Sequence, residues 1–471
     1  MMEQFDVSIV GAGIGGLALA YRLTKAGLSV LVIEEKASHG GPITSKHKDG
    51  FLLELGPNTL LCKEEVYNLI QDLGLDEKLE KAQPTSRKRF LAVRGFNSSD
   101  GLSIQQTPTG LISALTTPLI SRMGILRALK EPFIAKSTEE DLSVHEFITR
   151  RLGKEVADNL VAPMLSGIWA ADITKLSARS ALPTLWNLEK EFGSILKGFL
   201  RRKTKASKSP RRGKRRSRSP MISLDGGLSI LTERLAQEIG PSKIRLNTKL
   251  ERMDLGVDGA VLSLVTTDDS NQVVSQVAVR KVVLTQSADM QSGLIAPYDL
   301  KLSERINSIP YSPLGALYIS FDKNSVSHPL DGFGFLVPPK FGVPLLGGIF
   351  SSQLFAHRAP PDKYLVTAFV GGACFPDQAD IRDEGLTSFV LEHLRSLLQA
   401  KHTGTVVDRM FYPKAIPNYP QGHYKTVEAL RDFEIKHTAV KFFANWREGI
   451  SVPDRIRLAN ILAIEIVMEL S

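Results

Sequence analysis

The chain has 471 residues, long enough for two or three domains with sizeable cores. Hydrophobic residues make up 43% and charged residues 23%, which excludes a wholly disordered protein. The formal net charge of +9 comes from residues 201–218, because removing their eleven Lys and Arg from 59 basic residues leaves 48 against 50 acidic residues. This argues against a nucleic-acid-binding surface spread over the protein.

The N-terminal residues predict a strand, a glycine-rich turn and a helix. Residues 5–10 (FDVSIV) have a buried-strand pattern, and residues 17–27 (LALAYRLTKAG) have a helical one. The turn between them consists of Gly11, Ala12, Gly13, Ile14, Gly15 and Gly16. This is G-x-G-x-x-G in its strand–turn–helix context, where glycines permit a tight turn, close approach of a pyrophosphate and helix–strand packing. It predicts a dinucleotide site, and the alternative is a purely structural glycine turn.

A second predicted strand, residues 29–33, ends at Glu34, and Glu35 follows directly. A carboxylate at this place accepts hydrogen bonds from the ribose hydroxyls of a dinucleotide. Gly40 and Gly41 come next and allow the backbone to approach a cofactor closely. Their position after the acidic residues favours FAD, whereas the alternative is an ordinary turn.

Two segments in the middle of the chain raise the question of a membrane. Residues 101–121 carry no charge but contain prolines, glutamines and threonines, so they favour an interfacial surface or a plain helical core over a transmembrane helix. The basic residues 201–218 lack aromatic residues and apolar periodicity, which predicts a mobile loop. That loop is a solvated insert, a contact with anionic lipid or, least favoured, a contact with nucleic acid.

Six stretches, in the right order, carry a resemblance to a known family. They are ELGPNT (54–59), the continuous segment 150–198 that includes SGIWAADITKLS, SLDGGLSILTERLA (223–236), DGFGFLVP (331–338), AIPNYPQGHY (415–424) and GISVPDRI (449–456). Over nearly its whole length, the chain resembles the protoporphyrinogen oxidase family of FAD-dependent porphyrinogen oxidases, which is related to the monoamine oxidases.

The resemblance implies a mixed α/β and α+β architecture of three domains and one loop. They are a Rossmann-type FAD-binding domain with a discontinuous sequence (1–90, 221–287 and 419–471), a helical membrane-associating domain (91–205), a basic loop (206–220) and a mixed-sheet substrate-binding domain (288–418). It also implies further FAD contacts at Pro42, Gly56, Pro57, Asn58, Thr59, Leu250, Gly449, Ile450, Ser451 and Val452.

The chemistry implied by the resemblance is the removal of six electrons from a porphyrinogen in three flavin-dependent steps, with oxygen reoxidising the flavin. The flavin supplies that chemistry, so no catalytic side chain and no metal is expected. The substrate is a flat apolar macrocycle with ionised propionates. Arg89 matches a propionate-binding arginine, since a guanidinium binds a carboxylate with two hydrogen bonds. Phe333, Leu336 and Gly167 match positions that line the macrocycle pocket.

Three positions depart from the family pattern. Pro42 replaces a residue that is often arginine or an aromatic, Ala171 stands where a second glycine is usual, and one glycine is missing between Ala444 and Asn445. The resemblance implies oxidation of protoporphyrinogen IX in heme biosynthesis, and two alternatives remain beside it. One is oxidation of coproporphyrinogen III, which carries four propionates, and the other is a porphyrin-binding relative with an impaired flavin site.

The expected partners are a porphyrinogen, molecular oxygen and a membrane surface contacted peripherally, without nucleic acid. A homodimer is left open. Cys62 and Cys374 lie far apart in the sequence and indicate neither a disulfide framework nor a metal site. The N-terminus runs into a strand without a basic region and cleavage site, so a cytoplasmic protein is expected.

Overall fold

The computed structural model describes residues 2–94, 102–107, 119–207, 220–268 and 271–471. Strands and helices are numbered separately in chain order. Two seven-stranded sheets form the framework, and two smaller sheets lie beside them. Most of the basic segment 201–218, and residues 101 and 108–118 of the uncharged segment, lie outside the described residues.

The first large sheet is built from segments near both ends and the middle of the chain. Its strands are β1 (Glu3–Val10), β2 (Val30–Ile33), β10 (Ile244–Arg245), β11 (Thr248–Leu255), β12 (Ala260–Asp268), β13 (Asn271–Leu284) and β19 (Val440–Phe442). β1 runs parallel to β2 and to the C-terminal part of β13. The interior strand β2 reads VLVI and is buried at every position, as expected for a parallel strand covered on both faces.

The second large sheet holds strands from the middle of the chain. Its strands, in spatial order, are β18 (Thr405–Pro417), β14 (Tyr311–Asp322), β17 (Lys363–Gly371), β16 (Leu345–Ile349), β15 (Gly334–Leu336), β7 (Phe90–Arg94) and β8 (Leu102–Gln106). All of its pairings are antiparallel except β15 with β7. The two smaller sheets contain β3 (Ser45–Lys48) with β4 (Phe51–Glu54), and β9 (Met221–Leu224) between β5 (Leu60–Leu61) and β6 (Leu79–Lys81).

Helices cover the first sheet and make up most of the described part of residues 119–207. The α-helices are α1 (Ile14–Lys25), α2 (Glu64–Asp72), α3 (Arg122–Leu129), α4 (Val144–Leu152), α5 (Lys154–Val156), α6 (Ala162–Trp169), α7 (Ala178–Ala181), α8 (Pro183–Phe192), α9 (Ile195–Ser207), α10 (Ser229–Ile239), α11 (Ala288–Ile295), α12 (Leu300–Asn307), α13 (Ser351–Leu354), α14 (Glu384–Leu397), α15 (His423–Lys436) and α16 (Val452–Leu470). A π-turn, Ala157–Val161, joins α5 to α6.

Helix α1 lies between the first sheet and the C-terminal helix. Leu17 and Leu19 on α1 are fully buried with Ile456 of α16 in one apolar cluster. Burial of a leucine side chain contributes roughly 1.5–3 kcal/mol, so this cluster fixes the start of α1 relative to the start of α16. The packing brings together two helix N-termini that are more than 400 residues apart in the chain.

The structure differs from the expected domain boundaries at two places. Residues 91–94 and 102–106 were expected in the helical domain, but they form β7 and β8 of the second sheet. Residues 101–121 were expected to form an interfacial surface or a plain helical core. The helical alternative is wrong for 102–106, where pairing with β7 satisfies the backbone. Helices α11 and α12 were assigned to the substrate domain, yet they pack into the core beneath the first sheet through Ile295 and Ile306.

Among the described residues, no helix is both long enough and apolar enough to cross a bilayer. The longest of them, α16, has 19 residues and carries several charged side chains.

Candidate functional site

The glycine loop follows β1 and opens α1 as the sequence predicted. Gly11 has φ +114°, and a Cβ placed on it would lie 2.2 Å from Thr285 Oγ1. A Cβ on Gly16 would lie 2.1 Å from the Gly11 carbonyl oxygen, so the helix meets the strand at a distance that only glycine permits. The Gly11 N–H also donates to the Ile33 carbonyl oxygen over 2.7 Å, which ties the loop to β2.

A backbone-lined space lies beside this loop. A Cβ on Gly13 would meet no atom within 4 Å, and one on Gly41 would meet only the Gly13 Cα at 3.3 Å. The Gly40 N–H donates to the Ala12 carbonyl oxygen over 2.8 Å, which holds the second glycine pair next to the first loop. A side chain on Gly13 would therefore point into open space, whereas one on Gly11 would collide with Thr285. The space beside Gly13 leaves room for a ligand.

The two acidic residues after β2 differ in position. The Glu34 carboxylate accepts the Ala12 N–H through Oε2 at 2.7 Å and the Lys36 N–H through Oε1 at 3.1 Å. It therefore faces the glycine loop, whereas Glu35 is exposed. Leu250 is buried on the edge strand β11, where the pairing with β12 is interrupted directly after it.

The stretch after β4 lies against the second glycine pair. A Cβ on Gly56 would come within 1.9 Å of the Pro42 carbonyl oxygen, so glycine is required at this contact. Pro57 and Thr59 are half-buried, and Asn58 is buried with its side-chain oxygen lacking a hydrogen-bond partner within the protein. Pro42 itself is exposed, and its carbonyl group makes the close approach, so the missing N–H costs nothing at that contact.

A buried ion pair between Glu54 and Arg358 lies at the start of the stretch after β4. Glu54 accepts hydrogen bonds from Ser45 Oγ at 2.7 Å, and its carboxylate lies 3.2 Å from the Arg358 guanidinium. Burial raises the pKa of the Glu54 carboxyl above its usual value, although Arg358 acts in the opposite direction. The Tyr412 hydroxyl donates to the Leu55 carbonyl oxygen, and burial raises the pKa of that phenol to about 12, so it stays protonated at neutral pH.

The C-terminal stretch leads into α16. Gly449 has φ +71°, and Ile450 packs against the core of the helical region. Ser451 is the N-cap of Val452–Leu470: its hydroxyl donates to the Asp454 carboxylate at 2.5 Å and accepts the Asp454 N–H at 3.3 Å. The first N–H groups of a helix have no acceptor within the helix.

Two of the three departures are absorbed by the local structure. The left-handed backbone in the central segment is at Ala170, with φ +47°, and not at Ala171, so a glycine is not needed at the latter position. The shortened stretch is packed by Trp446, which is fully buried, and the Asn445 carbonyl oxygen accepts the Tyr419 hydroxyl at 2.5 Å.

The four residues expected to bind the substrate lie close together. The Arg89 guanidinium carbon is 4.9 Å from the centroid of the Phe333 ring. Leu336 pairs with Leu91 in the parallel contact between β15 and β7, just beyond these two residues. A Cβ on Gly167 would lie 2.3 Å from Leu336 Cδ2. We call Arg89, Gly167, Phe333 and Leu336 the substrate patch.

Helix α6 connects the substrate patch to the C-terminal stretch. It carries Gly167 and ends at Trp169, whose ring meets the Tyr419 ring edge-on at 4.8 Å. The hydroxyl of Tyr419 in turn donates to Asn445, four residues before Gly449. We call residues 11–16, 40–42, 56–59 and 449–452 the flavin cradle. Direct contacts connect the first three of these segments, and 449–452 leads into α16, whose Arg455 lies beside Gly15.

The flavin containing amine oxidoreductase family matches residues 14–444, which is most of the chain. The chain belongs to this family. It is therefore a flavoprotein oxidoreductase, and the resemblance seen in the sequence is confirmed.

Relatives within the family narrow the resemblance further. Protoporphyrinogen oxidase 2 of Arabidopsis thaliana is 32% identical over 95% of this chain and 90% of its own length. The mitochondrial protoporphyrinogen oxidase of Nicotiana tabacum is 31% identical over 95% of this chain. Coproporphyrinogen III oxidase of Staphylococcus aureus is 28% identical over 99% of both chains. The chain thus belongs with the protoporphyrinogen oxidases and is also similar to coproporphyrinogen oxidases.

Solved structures confirm the fold. A protein of Exiguobacterium sp. 255-15, provisionally named a protoporphyrinogen oxidase, superposes with a TM-score of 0.78 at 22% identity and covers 99% of both chains. Wild-type putrescine oxidase superposes with a TM-score of 0.68 at 18% identity, again over 99% of both chains. The expected combination of a mixed α/β flavoprotein fold with multi-strand sheets is confirmed.

The residues present fit a flavin dinucleotide. Three buried polar atoms without a partner in the protein belong to segments that border the cradle: His39 Nδ1, Asn58 Oδ1 and Arg455 Nη2. Buried polar groups normally have partners, and a dinucleotide bound beside these segments would supply polar atoms to them. The open space at Gly13 is where backbone N–H groups can meet phosphates.

Sequence reasoning missed two residues at the cradle. Thr285 follows β13, and its hydroxyl donates to the Val10 carbonyl oxygen at 2.8 Å, directly beneath the loop. Arg455 lies in the first turn of α16, next to Gly15. Thr285 has no signal in the sequence, but Arg455 does: a cation in the first turn of a predicted helix opposes the helix dipole and calls for an anion nearby.

Proposed function

We propose that the protein oxidises protoporphyrinogen IX to protoporphyrin IX, with FAD as cofactor and molecular oxygen as electron acceptor. The observation that carries the substrate assignment is the contact between Arg89 and Phe333, where one guanidinium stands 4.9 Å from the centroid of an aromatic ring. A cation beside a flat apolar surface suits a macrocycle that is apolar over most of its area and anionic at one edge.

FAD is favoured over a mononucleotide because the cradle has parts for both halves of a dinucleotide. Glu34 faces the glycine loop, at the place where a ribose would lie, and the loop presents its backbone to a pyrophosphate. The stretch after β4 lies against Pro42, next to Gly40 and Gly41, and would hold the flavin half together with the stretch before α16. A flavin held there would supply the two-electron oxidation of the substrate.

In this proposal the protein binds and orients the substrate. Arg89 holds a propionate in a two-hydrogen-bond geometry and thereby sets which edge of the macrocycle points outward. Phe333 and Leu336 form apolar walls, and Gly167 leaves space for the ring. Each turnover removes two hydrogens, and three turnovers convert porphyrinogen to porphyrin while three O₂ become three H₂O₂.

Oxidation of coproporphyrinogen III is the second candidate, since the Staphylococcus aureus relative bears that name. Its four propionates call for more cations than Arg89. The neighbouring Lys88 forms an ion pair with Asp331. Protoporphyrinogen IX is preferred because the two protoporphyrinogen oxidases compared above are 32% and 31% identical to this chain, whereas the coproporphyrinogen III oxidase is 28% identical.

The test compares both porphyrinogens with purified, FAD-supplemented protein in air. Porphyrin fluorescence is followed against an enzyme-free control, which measures autoxidation. A higher kcat/KM for protoporphyrinogen IX supports the proposal, and a higher value for coproporphyrinogen III replaces it with the second candidate. No rate above autoxidation for either substrate, together with absent flavin, identifies a porphyrin-binding relative with an impaired cradle.

We also propose that the helical region contacts a membrane through an apolar surface. Exposed apolar side chains lie on α3, on the turn after it and on α9: Met123, Leu126, Leu129, Phe133, Phe199 and Leu200. Lys197 on α9 donates to the Pro132 carbonyl oxygen at 2.8 Å, so α9 and the turn are in contact. The basic residues 201–218 begin on the same helix, which adds cations next to the apolar surface.

Sedimentation with vesicles tests this contact. Phe133→Ser combined with Leu200→Ser should reduce binding to vesicles containing phosphatidylglycerol, whereas Val257→Ser, at an equally exposed valine on the β11–β12 turn, should leave it unchanged. Equal binding of all three proteins would contradict the proposed surface.

A further inference from the structure

Arg455 is a buried cation with an unused hydrogen-bond donor. Its side chain is only 6% exposed. Nη1 donates to the carbonyl oxygens of Ala444 at 3.3 Å and Glu448 at 3.0 Å, while Nη2 is buried without a partner. A buried charged donor left without an acceptor costs several kcal/mol, so an acceptor is expected in the assembled protein.

The acidic residues near Arg455 have other partners. The Asp454 carboxylate is held by Lys63 at 2.9 Å and by Ser451, and the Glu448 carboxylate lies 3.9 Å from Arg447. In the part of the chain that the structure describes, no carboxylate forms an ion pair with Arg455. Burial lowers the pKa of Arg455 to about 10, although Glu448 and Asp454 act in the opposite direction.

The position of Arg455 is at the pyrophosphate end of the flavin cradle. Its Nε and Nη2 lie 3.2 Å and 3.5 Å from the place where a Cβ on Gly15 would be. Gly15 is one of the variable positions of G-x-G-x-x-G, so the fingerprint does not demand a glycine there. A side chain at this position would push Arg455 away, which explains why position 15 is glycine in this protein.

Phe443 fixes the orientation of the guanidinium. The Arg455 Cζ lies 3.7 Å from the centroid of the Phe443 ring, so the two planes are in contact. Nη1 of the guanidinium is bonded to carbonyl oxygens and one face of the group lies on the Phe443 ring. These contacts fix the direction in which Nη2 points. Arg455 lies in the first turn of α16 and beside Gly15 in the first turn of α1, and the N-terminus of a helix favours an anion.

We propose that Arg455 binds the pyrophosphate of the dinucleotide cofactor, with Nη2 donating a hydrogen bond to a phosphate oxygen. This inference rests on the proposed use of FAD. It adds a charged side chain to a cradle that otherwise holds the phosphates with backbone N–H groups. It also explains how a cation is tolerated in the first turn of α16: the bound phosphate supplies the counter-charge.

Ligand titration of the apoprotein tests the role of Arg455. The probes are FAD, ADP, which keeps the pyrophosphate but lacks the flavin, and adenosine, which lacks both. Arg455→Met should weaken FAD and ADP binding by about 10- to 100-fold and leave adenosine binding unchanged, because charge-assisted hydrogen bonds to the phosphates are lost. Arg455→Lys should fall between, since an ammonium keeps the charge without the fork.

Arg457→Met is the matched control, on the same helix two residues further along and half-buried. It should bind all three probes like the unchanged protein. The apoprotein of Arg455→Met should melt at or above the usual temperature, because an unpaired buried charge has been removed. Thermal unfolding of both apoproteins therefore separates a binding role from a structural one.

Four outcomes would overturn the inference. Unchanged FAD and ADP affinity in Arg455→Met would show that the guanidinium does not touch the pyrophosphate. A loss for FAD but not for ADP would place it on the flavin ring instead. A matching loss for all three probes with a lower melting temperature would indicate a structural role. Failure of the unchanged protein to bind FAD would overturn the proposed function along with it.

Discussion

The flavin cradle and the substrate patch are built in opposite ways. The cradle is made of backbone: its contacts depend on glycines at which a Cβ would collide with a carbonyl or hydroxyl oxygen, as at Gly11, Gly16 and Gly56. The substrate patch is made of side chains from three separate segments, which are brought together by the parallel pairing of β15 with β7 and the packing of α6.

This difference explains how each region responds to change. A backbone-built site allows almost no substitution at its close contacts, but it is insensitive to the identity of neighbouring side chains. A side-chain-built site tolerates substitution without loss of the fold and changes its specificity instead. Substitutions in the cradle and in the substrate patch test this difference in tolerance.

Within the cradle, two glycines should behave differently. Gly16→Val places side-chain atoms on the Gly11 carbonyl oxygen, so the apoprotein should lose about 3 kcal/mol of stability or more. Gly13→Val meets only open space at an extended backbone, so the apoprotein should melt normally and yet retain no flavin. Thermal unfolding and the visible absorbance of the purified proteins measure both effects. A flavin-loaded Gly13→Val protein would refute the cradle.

In the substrate patch, Arg89→Ala should affect the substrate and not the cofactor. Loss of a guanidinium–carboxylate contact of about 1.5–3 kcal/mol predicts a KM for the porphyrinogen raised about 10- to 100-fold. The flavin-to-protein ratio should stay constant. Arg87→Ala, at an exposed arginine two residues earlier, is the control and should leave KM unchanged. Parallel loss of flavin and substrate binding in Arg89→Ala would indicate a folding defect.

Gly167→Ala should have a smaller effect that a second change can reverse. The new methyl group would lie 2.3 Å from Leu336 Cδ2, and the flexible end of that side chain can move into the substrate space. We expect kcat/KM to fall about tenfold with little change in stability. The double variant Gly167→Ala with Leu336→Ala should recover most of the activity. Additive losses in the double variant would show that the two residues act independently.

Ser451→Ala should have the smallest effect. Removing the N-cap hydroxyl of α16 costs about 1 kcal/mol, measured as a shift in the denaturant midpoint. Thr232→Ala removes a buried hydroxyl that bonds within α10 and does not cap a helix, which makes it a comparison for the cap effect. Equal shifts of the denaturant midpoint in Ser451→Ala and Thr232→Ala would show that the loss of stability comes from removing a hydroxyl and not from losing the helix cap.

The cradle could be predicted from the sequence to a greater extent than the substrate patch. The glycine loop, β2 and Glu34 follow from a local pattern, because a strand, a turn and a helix close together leave few alternatives. The proximity of Arg89 and Phe333 depends on β15 pairing with β7 across more than 230 residues, which no local pattern specifies. Those residues were identified only by resemblance to a family.

Two further differences have physical reasons. Residues 91–94 were expected in a helical domain. The strand FLAVR contains Phe90 and Val93, which are residue types that favour strands, and it adds to an existing sheet. Arg455 was overlooked because its role depends on a tertiary contact between α1 and α16, and only its conflict with the helix dipole is visible in the sequence.

The most direct test of the account mixes the FAD-loaded protein with protoporphyrinogen IX in the absence of oxygen. If the cradle and the substrate patch form one active site, the visible absorbance of the flavin will bleach as porphyrin fluorescence appears, and admission of air will restore the absorbance. Flavin that stays oxidised in the presence of excess substrate would contradict the central claim that the two regions work together.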